Sequence, residues 1–85
     1  MMPDNGRLYG SLAAARAAGI SLRQLYYWVS VLHVVTPQAH LHGQRTFQRF
    51  TAHDVEQVRK MKSLVDRGYT LRAAVHLVKR HGEVA

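Results

Sequence analysis

Arginine is the only side chain with a permanent charge between residues 5 and 53 of this 85-residue chain. Residues 5–53 contain no lysine, aspartate or glutamate. The basic residues of this stretch are Arg7, Arg16, Arg23, Arg45 and Arg49. A guanidinium group forms paired hydrogen bonds with phosphate oxygens and with the O6 and N7 atoms of guanine. Arginines without acidic neighbours therefore favour recognition of nucleic acid.

The charge of the whole chain supports the same interpretation. Twelve Lys and Arg residues against five Asp and Glu residues give a formal net charge of +7. Solubility alone accounts for the size of this charge, since small domains commonly carry about 2–8 charges. It does not account for one sign of charge along more than half of the chain. We therefore predict a nucleic-acid partner.

The residues that usually carry catalysis or bind metals show no matching arrangement. The chain has no cysteine, so thiolate catalysis, disulfides and sulfur-ligated zinc are excluded. His40 and His42 are two residues apart, but no third and fourth ligand can be named, and a polar turn explains the pair better. The sequence also lacks a phosphate-cradling glycine loop, a G-x-S-x-G motif and an H-E-x-x-H motif. We expect no enzymatic activity, no cofactor and no bound metal.

Length and hydropathy predict one small soluble domain. A chain of this size buries a single modest core, and a hydrophobic content of 47% suits a folded protein. No apolar run resembles a signal peptide or approaches the ~20 residues of a membrane span. We expect a flexible leader over residues 1–10, a domain over residues 11–82, and a cytoplasmic, nucleoid-associated location.

Two short helices are predicted at the start of the domain. Ser11 is a candidate N-cap for an alanine-rich helix, Leu12–Ala18, that Gly19 ends. Ser21 is a candidate N-cap for a second helix over residues 22–32. The residues of this helix predicted to face the core are Leu25, Trp28, Val29 and Leu32. Two short helices with a glycine-containing joint have the proportions of a helix-turn-helix.

A β-hairpin is predicted to follow. Residues 34–37 combine three β-branched side chains with a proline, which cannot continue a helix. Residues 40–43 have the composition of a turn. In a return strand over residues 44–50, Arg45 and Arg49 lie on one side, because side chains alternate along a strand.

Two further helices complete the domain. An acid three residues after Thr51 predicts a capping box, and the apolar spacing from Val55 to Val65 predicts a helix that Gly68 ends. Thr70 is a candidate cap for a last helix over residues 71–80, with Gly82 as its stop. The expected fold is mainly α, with a small β-hairpin between the second and third helices.

Three segments resemble the mercury-resistance-regulator (MerR) family of DNA-binding proteins. Residues 20–28, ISLRQLYYW, resemble the recognition segment V-S-x-R-T-L-R-Y-Y/W. Residues 49–55, RFTAHDV, resemble the R-Y-S-x-x-D-L start of the third helix, and residues 66–71, DRGYTL, resemble the E-x-G-F-S-L joint that follows it. The resemblance covers residues 8–82. It implies a winged helix-turn-helix with the second helix in the major groove of duplex DNA and the hairpin wing on the backbone.

The chain departs from the family pattern in four places. Val29 stands where the family has an acid, and Leu32-His33-Val34 replaces its G-L-L corner. The wing motif G-Y-R-x-Y fits residues 43–47, yet its end fits residues 49–51, so a longer hairpin is expected. Typical members continue into a dimerising helix and an effector domain, whereas this chain ends at Ala85. We expect a monomer without a small-molecule effector site, and pairing or cooperative loading on DNA stays open.

Seven residues are candidates for binding double-stranded DNA. They are Ser21, Arg23, Gln24, Tyr27, Arg45, Arg49 and Arg72. The resemblance places Arg23 and Gln24 where a major-groove helix reads guanine and adenine, and Tyr27 offers a hydroxyl to a phosphate. The two wing arginines suit phosphates or a minor groove, although charge on an edge strand also prevents aggregation. For the residues of the second helix, the alternative is a solvated surface.

Three classes of function fit the sequence. The first is the sequence-specific DNA-binding domain of a bacterial-type transcription regulator. The second is an architectural DNA-bending protein of the phage excisionase kind, which shares the winged-helix plan. The third is a protein-interaction module that uses Trp28, Val31 and Val34 as a docking face.

Overall fold

A computed structural model describes residues 7–84, which form four helices and three strands. In chain order the elements are β1 (Leu8–Tyr9), α1 (Ser11–Ala18), α2 (Leu22–Ser30), β2 (Gln38–His42), β3 (Arg45–Thr51), α3 (Ala52–Asp66) and α4 (Leu71–Val84). The strands form an antiparallel sheet in the order β1-β3-β2. The predicted mainly helical fold with a hairpin between the second and third helices is confirmed.

The helix-turn-helix consists of α1, a three-residue joint and α2. Gly19 ends α1 with a φ of 80°. The N–H groups of Gly19 and the next residue bond carbonyl oxygens in the last turn of α1 at 3.1 and 3.0 Å, which is a Schellman motif. Ser21 then caps α2, because its side-chain oxygen accepts a hydrogen bond from the N–H of Gln24 at 3.0 Å. The predicted roles of this glycine and this serine are confirmed.

The start of α1 differs from the prediction. Gly10 is the N-cap, and its carbonyl oxygen accepts a hydrogen bond from the N–H of Ala14 at 2.9 Å. Ser11 is therefore the first residue inside the helix, and its prediction as the cap was wrong. The two residues of β1 pair with the end of β3, which integrates this part of the predicted leader into the sheet. The leader's first six residues lie outside the described part of the chain.

The end of α2 also differs, since the helix stops at Ser30 rather than Leu32. The N–H groups of Val31 and Leu32 both bond the carbonyl oxygen of Tyr27, at 2.9 and 3.2 Å. His33 then adopts a positive φ of 53°, in the left-handed region that L-residues seldom occupy.

The segment between α2 and β2 is irregular, whereas we predicted that the hairpin would begin there. Val34 and Val35 are buried in the core, and β2 begins only at Gln38. Residues 40–42, predicted as a turn, belong to this strand. The β-branched residues suggested an extended approach to the hairpin. β-branched side chains favour buried positions as well as strands, however, and here they are buried in the core outside any strand.

The hairpin turn consists of Gly43 and Gln44. A positive φ at Gly43, 66°, is the arrangement of a two-residue type II′ turn. The register pairs Gln38 with Arg49 and Leu41 with Thr46.

A single apolar core joins the helices to the sheet. Its largest fully buried side chains are Trp28, Phe50, Leu25, Met61 and Val58. The small side chains of α1 that reach this core are Ala14, Ala15 and Ala18. Among the described residues, no helix is long and apolar enough to cross a membrane.

Burial of Trp28 overturns one alternative drawn from the sequence. Trp28 and Val34 are 1% and 5% exposed, so they cannot form the predicted docking face with Val31. Of the three residues, only Val31 lies on the surface.

The two C-terminal helices begin as predicted. Thr51 and Asp54 form a capping box, with both side chain to backbone hydrogen bonds at 3.0 Å. The hydroxyl of Thr70 accepts a hydrogen bond from the backbone in the first turn of α4 at 3.1 Å. Gly82 does not stop α4, which continues to Val84, because a glycine inside a helix costs only about 1 kcal/mol.

Candidate nucleic-acid interface

The outer face of α2 carries the residues predicted to contact DNA bases. Successive helical residues are turned by about 100°, so Arg23 and Tyr27 lie on the side of the helix opposite the centre of its buried stripe, Leu25, Trp28 and Val29. Arg23 is exposed, and Tyr27 is 46% exposed. Leu25 and Val29 are also buried, which fixes the helix from behind. The helix therefore presents a polar, basic face on a rigid support.

Ser21 and Gln24 occupy the start of the same helix and are both exposed. The side-chain oxygen of Ser21 is already the acceptor of the capping bond, but a hydroxyl that accepts one bond still has a proton to donate. The side chain of Gln24 has no hydrogen bond among the described residues, so its amide is open to a partner.

The wing leaves the core along β3. Phe50 is fully buried, residues 47–49 are half-buried, and Arg45 is exposed beside the turn. At a rise of about 3.3 Å per residue, Arg45 lies roughly 17 Å along the strand from Phe50. Within the described part of the chain, the guanidinium of Arg45 has no hydrogen bond or ion pair. It is therefore the wing arginine best placed for an outside contact.

Arg49, unlike Arg45, is held against the protein. It is half-buried, and its Nη1 donates a hydrogen bond to the carbonyl oxygen of Gln48 at 3.2 Å. Its guanidinium carbon lies 5.3 Å from the ring centre of Phe47. A Cβ added at Gly10 would lie 3.5 Å from Nη1, so the guanidinium also borders the start of α1. This side chain therefore lies between the wing and the start of α1.

A shallow groove of about 500 Å³ separates the wing from α2. Tyr26 and Ser30 line it from the helix, and Thr46 and Gln48 line it from β3. The fold thus places the wing directly beside α2. Tyr26, which is 47% exposed, was not among our candidates. Its position next to Leu25 and outside the buried stripe was the signal that could have identified it.

Arg72 lies apart from the other candidates. It is exposed in the first turn of α4 and borders Val31 and Leu32, just after α2. Val31 follows Arg23 by eight residues, or about 12 Å along a helix axis. Arg72 therefore neighbours the C-terminal end of α2, whereas Arg23 lies near its N-terminal end.

Acidic residues do not neutralise these arginines in the described structure. Asp54 accepts the capping-box bond at the start of α3. Glu56 pairs with Arg59, and Asp66 pairs with Lys62. The second guanidinium nitrogen of Arg59 donates to a carbonyl oxygen of α1 at 2.9 Å, which gives this arginine a structural role.

The histidines form no evident metal centre in the part of the chain that is described. No group of three His, Cys, Asp or Glu side chains lies close enough there to hold an ion. His40 Nε2 lies 3.1 Å from Gln38 Oε1, a local polar contact on β2. The side chain of His42, the other half of the predicted pair, lies outside the described residues.

Comparison with known proteins agrees with this architecture. A search of curated proteins finds no match. The solved structure of HiNmlR, a MerR family regulator lacking the sensor domain and bound to promoter DNA, superposes with a TM-score of 0.73 at 20% sequence identity. The match covers 88% of this chain and 55% of HiNmlR, so the present chain spans about half the length of that protein. The likeness shows a shared fold.

A family model decides the assignment. The model of the MerR helix-turn-helix regulatory proteins matches residues 9–81, from β1 into α4. This range includes the helix-turn-helix, the wing and both C-terminal helices. The chain therefore belongs to the MerR family of helix-turn-helix regulatory proteins.

Proposed function

We propose that the domain binds double-stranded DNA as a transcription regulator, with α2 in the major groove and the hairpin wing on the backbone. The observation that carries the proposal is the outer face of α2, where Arg23 is exposed, has no hydrogen bond or ion pair with any described residue, and stands on a helix whose other side is buried. The major groove, about 12 Å wide, admits an α-helix. HiNmlR, which shares the fold, is bound to promoter DNA, and this supports DNA as the partner.

Arg23 and Gln24 are assigned to base reading. Both lie in the first turn of α2, and major-groove helices contact base edges through their N-terminal residues. Arginine pairs with guanine O6 and N7, and glutamine pairs with adenine N6 and N7. Ser21 and Tyr27, on the same exposed surface, are assigned hydroxyl contacts to phosphates.

The wing and α4 are assigned to the backbone. Arg45, at the exposed end of the hairpin, neutralises a phosphate on one side of α2. Arg49 holds the wing against α1 and adds positive potential there. Arg72, at the other end of α2, is a further phosphate contact, and nothing in these roles needs catalysis or a cofactor.

The free domain is expected to be monomeric. Each copy carries a net charge of +7, and like charges oppose self-association at low salt. DNA neutralises this charge, so pairing or cooperative loading becomes favourable only on the duplex. Sedimentation of the free domain at micromolar concentration checks the monomer.

The test compares two variants, each lacking one cation, on a preferred duplex and on a duplex of random sequence. A preferred duplex is first selected from a random pool, and binding is followed by fluorescence anisotropy. Arg23→Ala should weaken preferred binding by about 1–3 kcal/mol and flatten discrimination at one base pair. Lys60→Ala removes one charge from an exposed position on α3, and it should leave that discrimination intact. Equal loss of affinity for all sequences in Arg23→Ala would show that α2 is not the reader.

A further inference from the structure

A second basic surface runs along α4. Its members are exposed and spaced by four, three and one residues, which places them on one helical face. They are Arg72, His76, Lys79 and Arg80. None of these side chains has a hydrogen bond or ion pair within the described residues. Helix-dipole stabilisation is confined to the last turn, and α4 continues four residues beyond Arg80, so the dipole does not explain Lys79 and Arg80.

This surface borders an apolar floor. Val31, 55% exposed, lies with Leu32 and Val75 in a groove of about 690 Å³ between the end of α2 and α4. The groove contains no acidic side chain among its described lining residues. Its chemistry is therefore mixed, with apolar groups at the bottom and cations along one wall.

We propose that this groove, formed by Val31, Leu32, Val75 and the basic face of α4, docks an acidic amphipathic helix of a protein partner. Charge complementarity selects the acidic side chains, which pair with Lys79 and Arg80. The floor selects the apolar side chains, since covering Val31 and Val75 removes apolar surface from water. From Arg72 to Arg80 the basic face spans about 12 Å, the length of roughly two helical turns.

Other occupants fit this chemistry less well. A phosphate backbone satisfies the cations but offers no apolar group to cover Val31. A second copy of the chain has a net charge of +7 and brings the same charge to the same wall. The proposal does not depend on base reading by α2, because the groove and the outer face of α2 use different side chains. Arg72 is the one residue assigned both to this groove and to the DNA backbone, so the tests below leave it unchanged.

The test uses an 18-residue synthetic probe helix with glutamates on one face and leucines on the adjacent face. A reordered peptide of the same composition, in which the two faces are mixed, is the control. The probe is titrated into the ¹⁵N-labelled full chain and followed by amide shifts. We expect the largest shifts at Val31, Leu32 and Val75, and clearly weaker binding of the reordered peptide.

Substitutions at two exposed positions separate the apolar and ionic contributions to probe binding. Val31→Ser should weaken probe binding about tenfold through lost apolar burial. Lys79→Glu should weaken it about tenfold by reversing one contact, whereas Lys60→Glu, the same charge change on α3, should have less than a threefold effect. Duplex DNA affinity should be unchanged by Val31→Ser.

Several results would overturn the proposal. Shifts confined to Arg23 and Tyr27 would mean that the acidic probe merely imitates phosphate on α2. Equal binding of the reordered peptide would remove the amphipathic requirement. Shifts at Val31 on raising the protein concentration alone would identify a second copy as the occupant. Loss of duplex affinity in Lys79→Glu beyond that in Lys60→Glu, with probe affinity retained, would identify DNA.

Discussion

Tyr26, Tyr27 and Trp28 are consecutive aromatic residues with different surroundings. Trp28 is 1% exposed, whereas the two tyrosines are nearly half exposed. Each step along the helix turns the side chain by about 100°, so only Trp28 points toward Leu25 and the core. One residue of spacing therefore separates a side chain that stabilises the fold from those available to a partner.

The first prediction follows from this difference. Trp28→Ala should lower the free energy of unfolding by roughly 3–5 kcal/mol, because it leaves a cavity in the core. Tyr27→Phe removes only an exposed hydroxyl and should change it by less than about 0.5 kcal/mol. Urea denaturation measures both values, and similar stabilities for the two variants would contradict the assignment of Trp28 to the core.

The two wing arginines should also differ. Arg45→Ala should weaken preferred and random duplexes by similar factors and reduce the salt slope of binding by about one unit, since a phosphate contact carries no sequence information. The isolated domain should keep its stability. Arg49→Ala should weaken DNA binding and also lower the unfolding midpoint, because its guanidinium contacts Gln48 and Phe47. Loss of base preference in Arg45→Ala would place the wing in a reading role instead.

Helix boundaries show which parts of the fold are determined by residues close together in the sequence. Ser21, Thr51 and Thr70 cap their helices as the sequence predicts, because each interaction spans three residues. The return strand of the hairpin was predicted to within one residue, but the first strand begins later than the β-branched residues suggested, because burial of Val34 and Val35 depends on distant packing. The two-residue β1 was missed because its only signal is its pairing with Thr51 and its neighbour in β3.

The corner after α2 yields a prediction at this scale. His33 has a φ of 53°, and the left-handed conformation costs a non-glycine residue about 1–2 kcal/mol. His33→Gly should therefore raise the free energy of unfolding by about 1 kcal/mol, reduced by the extra freedom of glycine in the unfolded chain. His53→Gly, within α3, should lower it by up to about 1 kcal/mol. Denaturant midpoints measure both, and a destabilised His33→Gly would show that the corner is unstrained.

The candidate site was predicted only in part from the sequence. Helical periodicity correctly placed Arg23 and Tyr27 on the exposed side of α2. Neither the contact between Arg49 and Phe47 nor the groove beside Val31 was predictable, because each depends on how separate elements pack. The binding partner of these side chains is a proposal, and it rests on the electrostatic potential of the whole molecule.

At that scale the dominant feature is uncompensated positive charge. The carboxylates of Asp54, Glu56 and Asp66 are all engaged on α3, away from α2 and the wing. We propose that the basic side chains left without acidic partners bind phosphates and release counterions from the duplex, and affinity should then fall as salt rises.

The salt dependence of DNA binding tests the central claim most directly. The dissociation constant for the tightest-binding duplex should be measured at a series of salt concentrations from about 50 to 300 mM. Contacts from α2, the wing and α4 predict that the logarithm of the association constant, the inverse of this dissociation constant, falls against log salt with a slope near −4 to −5, at about 0.9 per neutralised phosphate. A slope shallower than about −2 would contradict a basic face that holds the duplex through several phosphates.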